Sequence, residues 1–251
     1  MSGFALHGIS HTSPSQINTW IADPAYWVLT KLHGKSYDFG FAAERGKQIE
    51  NAVVNILANG MSEEQAIKEA LYAYDRFSPI SADPKKQKER EVIAPCITEA
   101  VQALKIYGEP DFSQEGQHKI ELLCNAGDWT LPVIGYLDLV YPQHNLVIDL
   151  KTTTRMPSEM SQAHQRQAAI YETAKGMQVQ FLYVTPKKHS FLHCDRVPDV
   201  MKEVKINLIR QERFLSISED KNVLASIVPV NCESYYWCEQ STLDRKELYG
   251  I

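Results

Sequence analysis

The 251-residue sequence has no apolar run approaching the roughly 18 residues that a membrane-spanning helix requires. Its first residues, MSGFALHGISHTSPS, lack the basic start and apolar stretch of a secretory signal. A soluble, intracellular, cytoplasmic protein is expected. The five cysteines (Cys96, Cys124, Cys194, Cys232, Cys238) are an odd, scattered set in a chain too long to need stapling, so reduced thiols are expected. The eight histidines make no zinc case, and His189 and His193 are expected to be structural residues of a strand. No repeat, low-complexity tract or linker interrupts the chain, which excludes a solenoid. Bases are also in deficit: 26 Lys plus Arg against 31 Asp plus Glu leave a net charge of −5, which argues against a simple polycation. That sum decides little about nucleic acid until the acids and bases are located, because a carboxylate metal site adds negative charge to any enzyme that holds one. With 44% hydrophobic residues, a disordered chain is excluded and one domain over 1–251 is expected.

What is present is first helical. Ser13-Pro14 and Asp23-Pro24 each pair an N-cap with a proline at the first helical position, ahead of SQINTWI and AYWVLTKL. Apolar residues at helical spacing run from Phe39 to Asn59 and stop at Gly60. Ser62 with Gln65 forms a capping-box pattern for the next helix, and Asp83-Pro84 opens another that runs to Tyr107 with a kink expected at Pro95. From Gly116 the pattern changes. HKIELLC, WTLPVIGYLDLVY and NLVIDLKT predict three consecutive antiparallel strands joined by NAGD and PQHN. Ser158 to Lys175 reads as helix, VQFLYVT and HSFLHCD as strands around Pro186-Lys187-Lys188, and Val197 to Ser216 as an amphipathic helix with Val200, Val204, Leu208 and Phe214 inward. The expected organisation is a helical portion over 1–110, a sheet core over 111–216 and a C-terminal extension over 217–251. The fold class is α/β in the α+β sense, a central mixed β-sheet flanked by helices with an N-terminal helical block.

The stretch with most chemistry is Gly135-Tyr-Leu-Asp138, eleven residues ahead of Asp149-Leu-Lys151. A strand and a turn between them bring Asp138 and Asp149 side by side, where like charges call for a divalent cation. Asp149 and Lys151 project from one face of their strand, and Leu150 packs on the other. The Leu150 backbone carbonyl adds a third oxygen, a set that suits Mg²⁺ or Mn²⁺.

These residues resemble the active-site hairpin of the PD-(D/E)xK nuclease superfamily, with its restriction-endonuclease-like core. GYLDLVY and LVIDLKTTT are similar to the G-x-x-D and I-D-x-K-T-T segments of its RecB-type, lambda-exonuclease-like branch, which includes CRISPR adaptation nucleases and the mitochondrial genome maintenance exonuclease. Gln167-Ala-Ala-Ile-Tyr171 resembles the Q-x-x-x-Y motif, with Gln167 and Tyr171 on one helix face. Gly46-Lys-Gln-Ile-Glu50 resembles G-x-x-x-E, and SPSQINTWIADPAYWVLTKL resembles the branch's opening segment. The motifs run in order from about residue 13 to 171. Iron–sulfur members carry a cysteine where this chain has Asp23, and Cys232 and Cys238 are only two of the three further thiolates, so no iron–sulfur cluster is expected. Cys232 and Cys238 are instead expected to be buried near Tyr236 and Trp237, and Cys124 and Cys194 to lie in strands.

The resemblance implies a DNA exonuclease that hydrolyses phosphodiester bonds from a DNA end in recombination, repair or phage DNA metabolism. Asp138, Asp149, the Leu150 carbonyl and Glu50 would hold one or two Mg²⁺ or Mn²⁺ ions. Lys151 would orient or help deprotonate the water, and a lysine beside two metal ions can have a lowered pKa. Gln167 would position the water or a phosphate, and Tyr171 would contact the DNA backbone or brace the lysine. Arg45, Lys47, Thr152, Arg155 and Arg166 are the candidate DNA contacts beside these motifs. Lys85 to Arg90 reads as a solvated face, and Trp20, Tyr26 and Trp27 as core. The implied partner is DNA, as a single strand or a duplex end, with no membrane partner; a homo-oligomer or a single-strand annealing protein is compatible, as is a phage source. Alternatives are an endonuclease or CRISPR-adaptation-type nuclease on the same core, a DNA-binding module with a non-catalytic nuclease fold, and a metal-independent interaction protein.

Overall fold

The computed structural model describes residues 2–37, 40–77, 79, 81, 83–111 and 117–251. The chain forms two compact units interleaved in sequence: Met1–Asp38 with Glu121–Gly135 and Arg196–Ile251, and Phe39–Ile120 with Tyr136–Asp195. The predicted single-domain division into 1–110, 111–216 and 217–251 does not follow these boundaries. Among the described residues no helix is long and apolar enough to cross a membrane.

The first unit is built on short helices. Ser13 Oγ caps α2 (Pro14–Ala22) by accepting from Gln16 N, and the Asp23 carboxylate caps α3 (Pro24–Trp27) by accepting from Tyr26 N, as the Ser-Pro and Asp-Pro pairs predict. After one α-turn the second helix widens into a π-helical stretch, Val28–Leu32, which the sequence did not suggest. Two helices in the C-terminal extension were also not predicted: α10 (Lys221–Ser226) and α11 (Glu239–Tyr249). The short α1 (Gly3–Leu6) is held by the Glu212 carboxylate of α9 (Val197–Leu215), which accepts from Gly3 N at 2.6 Å and Phe4 N at 3.1 Å. On α9, Val200, Val204 and Leu208 are buried as expected; Leu215, rather than Phe214, completes the stripe, and the Phe214 ring lies 5.0 Å from Trp20. Trp27 is core, and Tyr26 stacks on Tyr236 at 5.1 Å.

The second unit is a mixed four-stranded sheet with helices. α4 (Phe41–Asn59) ends at Gly60 with φ +65°; its predicted start, Phe39, lies outside the described residues. In α5 (Glu63–Arg76), Ser62 Oγ accepts from Gln65 N, but the Gln65 side chain donates to Glu69 instead of returning to the cap, so the box is half made. The long helix expected after Pro84 is two, α6 (Pro84–Glu91) and α7 (Ile93–Leu104), broken at Val92. Pro95 has no N–H and its ring would strike the carbonyl four residues back, at Glu91, where α6 stops.

The three predicted antiparallel strands are a corrected point. β1 (His118–Ala126) and β2 (Trp129–Leu137) form their own two-stranded sheet, and WTLPVIGYLDLVY breaks at Asp138. Gly116, where strand character was predicted to begin, lies outside the described residues. Only β3 (Leu139–Tyr141) joins β4 (Leu146–Thr152), and the larger sheet runs β3-β4-β5-β6, with β5 spanning Gln178–Thr185 and β6 Lys188–His193. β4 and β5 are parallel, which requires the crossover supplied by α8 (Gln162–Lys175); the other two pairings are antiparallel. α8 starts at Ser161, whose hydroxyl caps it, and not at Ser158.

Alternation along β4 sorts its residues. Leu146, Ile148 and Leu150 join the core with Leu182 and Val184 of β5 and with Ile49, Val53, Tyr74, Ile97 and Leu104 of the helices. Asp149 and Lys151 face the other way, in register with Phe181 and Tyr183 of β5.

Candidate metal and active site

The break at Asp138 places its carboxylate against β4. Pairing of β3 with β4 stops at Leu139 opposite Ile148, and one residue earlier Asp138 Oδ2 accepts from Leu150 N at 2.9 Å. A strand residue points its N–H and C=O the same way, so the Leu150 carbonyl also faces the Asp138 side, beyond the end of β3. Asp138 is 8% exposed and Asp149 1% exposed. Lys151 Nζ makes an ion pair with Asp149 Oδ1 and lies 5.3 Å from the Phe181 ring centre. Gln167 Nε2 donates to Asp149 Oδ2 at 2.7 Å and to the Tyr171 hydroxyl at 3.2 Å, so the i, i+4 pair shares a face of α8 and Gln167 meets the β4 acid. Glu50 projects from α4, one residue on from buried Ile49.

Three residues without a sequence motif complete the group. Gln117 Nε2 donates to Glu50 Oε1 at 2.6 Å and lies 3.4 Å from Asp138 Oδ1, so one amide spans two carboxylates. Tyr183, in register with Lys151, shares a 2.6 Å hydrogen bond with His164 Nδ1 on α8. Period-two alternation on β5 could have put Tyr183 on the Lys151 face; Gln117 carried no such signal.

The electrostatics follow from the crowding. Burial pushes Asp138 well above the usual carboxylate range, the charges of Asp149 and Glu50 push it further, and Lys151 and the Leu150 N–H partly oppose them. Glu50 is raised by burial and by Asp149, against Lys151 and the Gln117 bond. For Lys151 burial alone would lower the pKa, but Asp149 and Asp138 outweigh it and the net shift is upward.

Among the described residues no three His, Cys, Asp or Glu side chains lie close enough together to hold an ion as they stand. The carboxylates are engaged instead by Lys151 and Gln117. The donor set nonetheless fits a hard cation: Glu50, Asp138 and Asp149 against Lys151 leave a formal −2 in a largely buried place, and every available ligand is oxygen.

The predicted DNA contacts divide. Lys47 and Arg155 are exposed, and Thr152 is half-buried at the end of β4. Arg45 is buried: its guanidinium pairs with Glu89 and donates to the Thr152 carbonyl at 3.2 Å and hydroxyl at 3.3 Å. Arg166 is buried on α8. A Cβ on Gly46 would meet the Thr152 hydroxyl at 3.5 Å, an ordinary contact.

All five cysteines are free, but Cys232 and Cys238 are exposed, which corrects the expectation that both are buried. Cys238 is the N-cap of α11, where its thiol accepts from Ser241 N, a position that keeps it at the surface. Cys194 lies one residue beyond β6 and not in a strand; Cys124 is in β1.

No family model matches the chain, and neither does any curated protein. Among solved structures, one titled "Crystal structure of SSO0001" is similar with a TM-score of 0.36 and 11% identity, over 74% of this chain and 85% of that one. A likeness at that level carries no weight for fold or function.

Proposed function

We propose that the protein is a metal-dependent deoxyribonuclease of PD-(D/E)xK type, an exonuclease that hydrolyses phosphodiester bonds from a DNA end. The observation that carries this reading is the pair of buried acids Asp138 and Asp149, with half-buried Glu50 linked to Asp138 through Gln117 and with the cation Lys151, beside Gln167 and Tyr171. A buried net negative charge is costly for a fold to keep, and such groups concentrate where function requires them. Asp138, Asp149, Glu50 and the Leu150 carbonyl would hold Mg²⁺ or Mn²⁺. The bound ion supplies neutralisation of the phosphate and a more acidic water. Lys151, on the strand face of Asp149, would orient the water and donate hydrogen bonds to phosphate oxygens, stabilising the charge that builds on them. Gln167, oriented by Asp149 and Tyr171, holds a water or phosphate oxygen through its amide.

One observation favours a second reading, a DNA-binding module without catalysis: Gln117 and Lys151 already engage all three carboxylates. The experiment that separates the two incubates wild type, Asp149→Ala and Lys151→Ala with end-labelled linear DNA and closed circular DNA, in Mg²⁺ or in EDTA. The nuclease reading expects Mg²⁺-dependent loss of linear DNA by wild type alone. Equal degradation by the variants, or activity in EDTA, would sink the site; cutting of the circle would make the enzyme an endonuclease.

A further inference from the structure

Past the active-site strand the chain builds a second feature. An open cavity of about 520 Å³ is lined by Thr154, Arg155, Met156, Thr185, Pro186, Lys187 and Lys188. Three of those seven residues are cationic and none is acidic. The Arg155, Lys187 and Lys188 side chains are in residues exposed to solvent, and among the described residues none of the three enters an ion pair. Three cations left together without a counter-charge repel one another, a cost that an anion removes.

The walls of the cavity are fixed to one strand. Thr153 N donates to the Val184 carbonyl at 2.9 Å, and the Thr153 hydroxyl donates to the Arg155 carbonyl at 2.9 Å, which ties the Arg155 segment to β5. On the other side the Thr185 hydroxyl donates to the Lys188 carbonyl at 3.0 Å and accepts from Lys188 N at 3.2 Å, so the turn carrying both lysines is held closed. β4 and β5 are parallel, so both walls leave the sheet at its carboxyl end, where Lys151 also lies. Arg155 is four residues beyond Lys151, at most about 14 Å of chain. Because the roughly 3.4 Å rise per nucleotide is measured along the helix axis and successive phosphates of a strand lie further apart than that, the span reaches fewer than about four nucleotides.

We propose that this cavity is a backbone-phosphate subsite, gripping the substrate strand a few nucleotides from the phosphate held at Asp149 and Lys151. Met156 and Pro186 supply the apolar wall against which a sugar packs. The inference rests on the nuclease reading for its ligand, a polynucleotide, and joins Lys187 and Lys188 to Arg155, already a candidate DNA contact, in one phosphate site.

The test measures binding of a fluorescein-labelled 20-nucleotide single strand and the matching duplex in EDTA, across a series of KCl concentrations. Wild type is compared with the triple variant Arg155→Ser/Lys187→Ser/Lys188→Ser and, as a charge-matched control, with Lys85→Ser/Lys86→Ser/Lys88→Ser. The cavity variant is expected to bind at least tenfold more weakly at low salt and to lower the slope of log K against log salt by about 2, since each lost phosphate contact removes roughly 0.7 to 0.9. Equal losses in both variants would mean general surface charge and overturn the subsite, as would an unchanged slope in the cavity variant. Inorganic phosphate at millimolar concentration that abolishes wild-type binding completely would also overturn it, by identifying the ligand as the free anion. Failure of the nuclease reading looks different: wild type then binds DNA with the expected cavity dependence yet hydrolyses none in Mg²⁺. If wild type binds no DNA at all, both fall together.

Discussion

Replacing Asp138 with asparagine tests the electrostatic account of the site without a substrate. The carboxylate sits 8% exposed among Asp149, Glu50 and Lys151, and two negative neighbours against one positive leave one uncompensated repulsion. At an effective dielectric of about 20, one uncompensated repulsion between unit charges that are not in contact costs about 2 kcal/mol. Against this, the bond from Leu150 N to Asp138 Oδ2 survives with an amide oxygen but loses its charge assistance, about 1 kcal/mol. In EDTA, Asp138→Asn should therefore be more stable than wild type by about 1 kcal/mol, a rise in Tm of about 2–4 °C. With Mn²⁺ the order should reverse. An ion at a hundred times its Kd stabilises wild type by about 2.7 kcal/mol, and the asparagine variant, short of one ligand charge, gains little. Paired thermal melts in EDTA and in Mn²⁺ read both effects. Destabilisation of Asp138→Asn in EDTA, or a wild-type melt indifferent to Mn²⁺, would refute the reasoning.

Further outcomes are expected elsewhere. Gly3→Ala puts a Cβ 2.5 Å from the Glu212 carbonyl and 2.6 Å from Ser216 N, backbone atoms that cannot step aside, so urea denaturation should show a loss of about 1–3 kcal/mol. Gly46→Ala meets only the ordinary 3.5 Å contact with Thr152 and should gain about 0.5–1 kcal/mol from helix propensity; a stability gain with DNA cleavage lost would show that the glycine is there for the ligand. Arg45→Met leaves Glu89 without its partner in a largely buried position and should cost about 3 kcal/mol, measured by denaturation before any DNA assay. Asp75 is held below its usual carboxylate pKa chiefly by its hydrogen bond from Arg90, so its contribution is present above the unfolded value and is lost as pH falls through the folded one. The pair is only half-buried, so Asp75→Asn should cost about 0.5 kcal/mol at pH 7 and progressively less as pH falls below the unfolded carboxylate value; a cost that does not change with pH would refute the assignment.

Local rules were legible because they depend on neighbours in the chain. Ser13-Pro14, Asp23-Pro24 and Gly60 mark helix ends by their own hydrogen bonds and dihedrals, whereas the sequence pattern places the cap at Ser161 three residues early, at Ser158. Asp149 and Lys151 could be put on one strand face by counting, and Gln167 and Tyr171 on one helix face likewise. The widening of α3 into a π-helix and the helices after residue 216 could not, since short segments of modest periodicity take their form from what they pack against.

The sequence by itself determined the alternation of helix and strand, the caps, and the chemical types that meet at β4. Only the tertiary structure decided that the second predicted strand breaks at Asp138, so that one half pairs with β1 and the other with β4. Only it buried Arg45 while leaving Arg155 exposed, though both stand beside a motif, and only it brought Gln117 to Glu50, 67 residues away. The physical reason is that hydrogen bonds and charge–charge energies depend on distance in space, and for residues far apart along the chain that distance exists only once the core has closed.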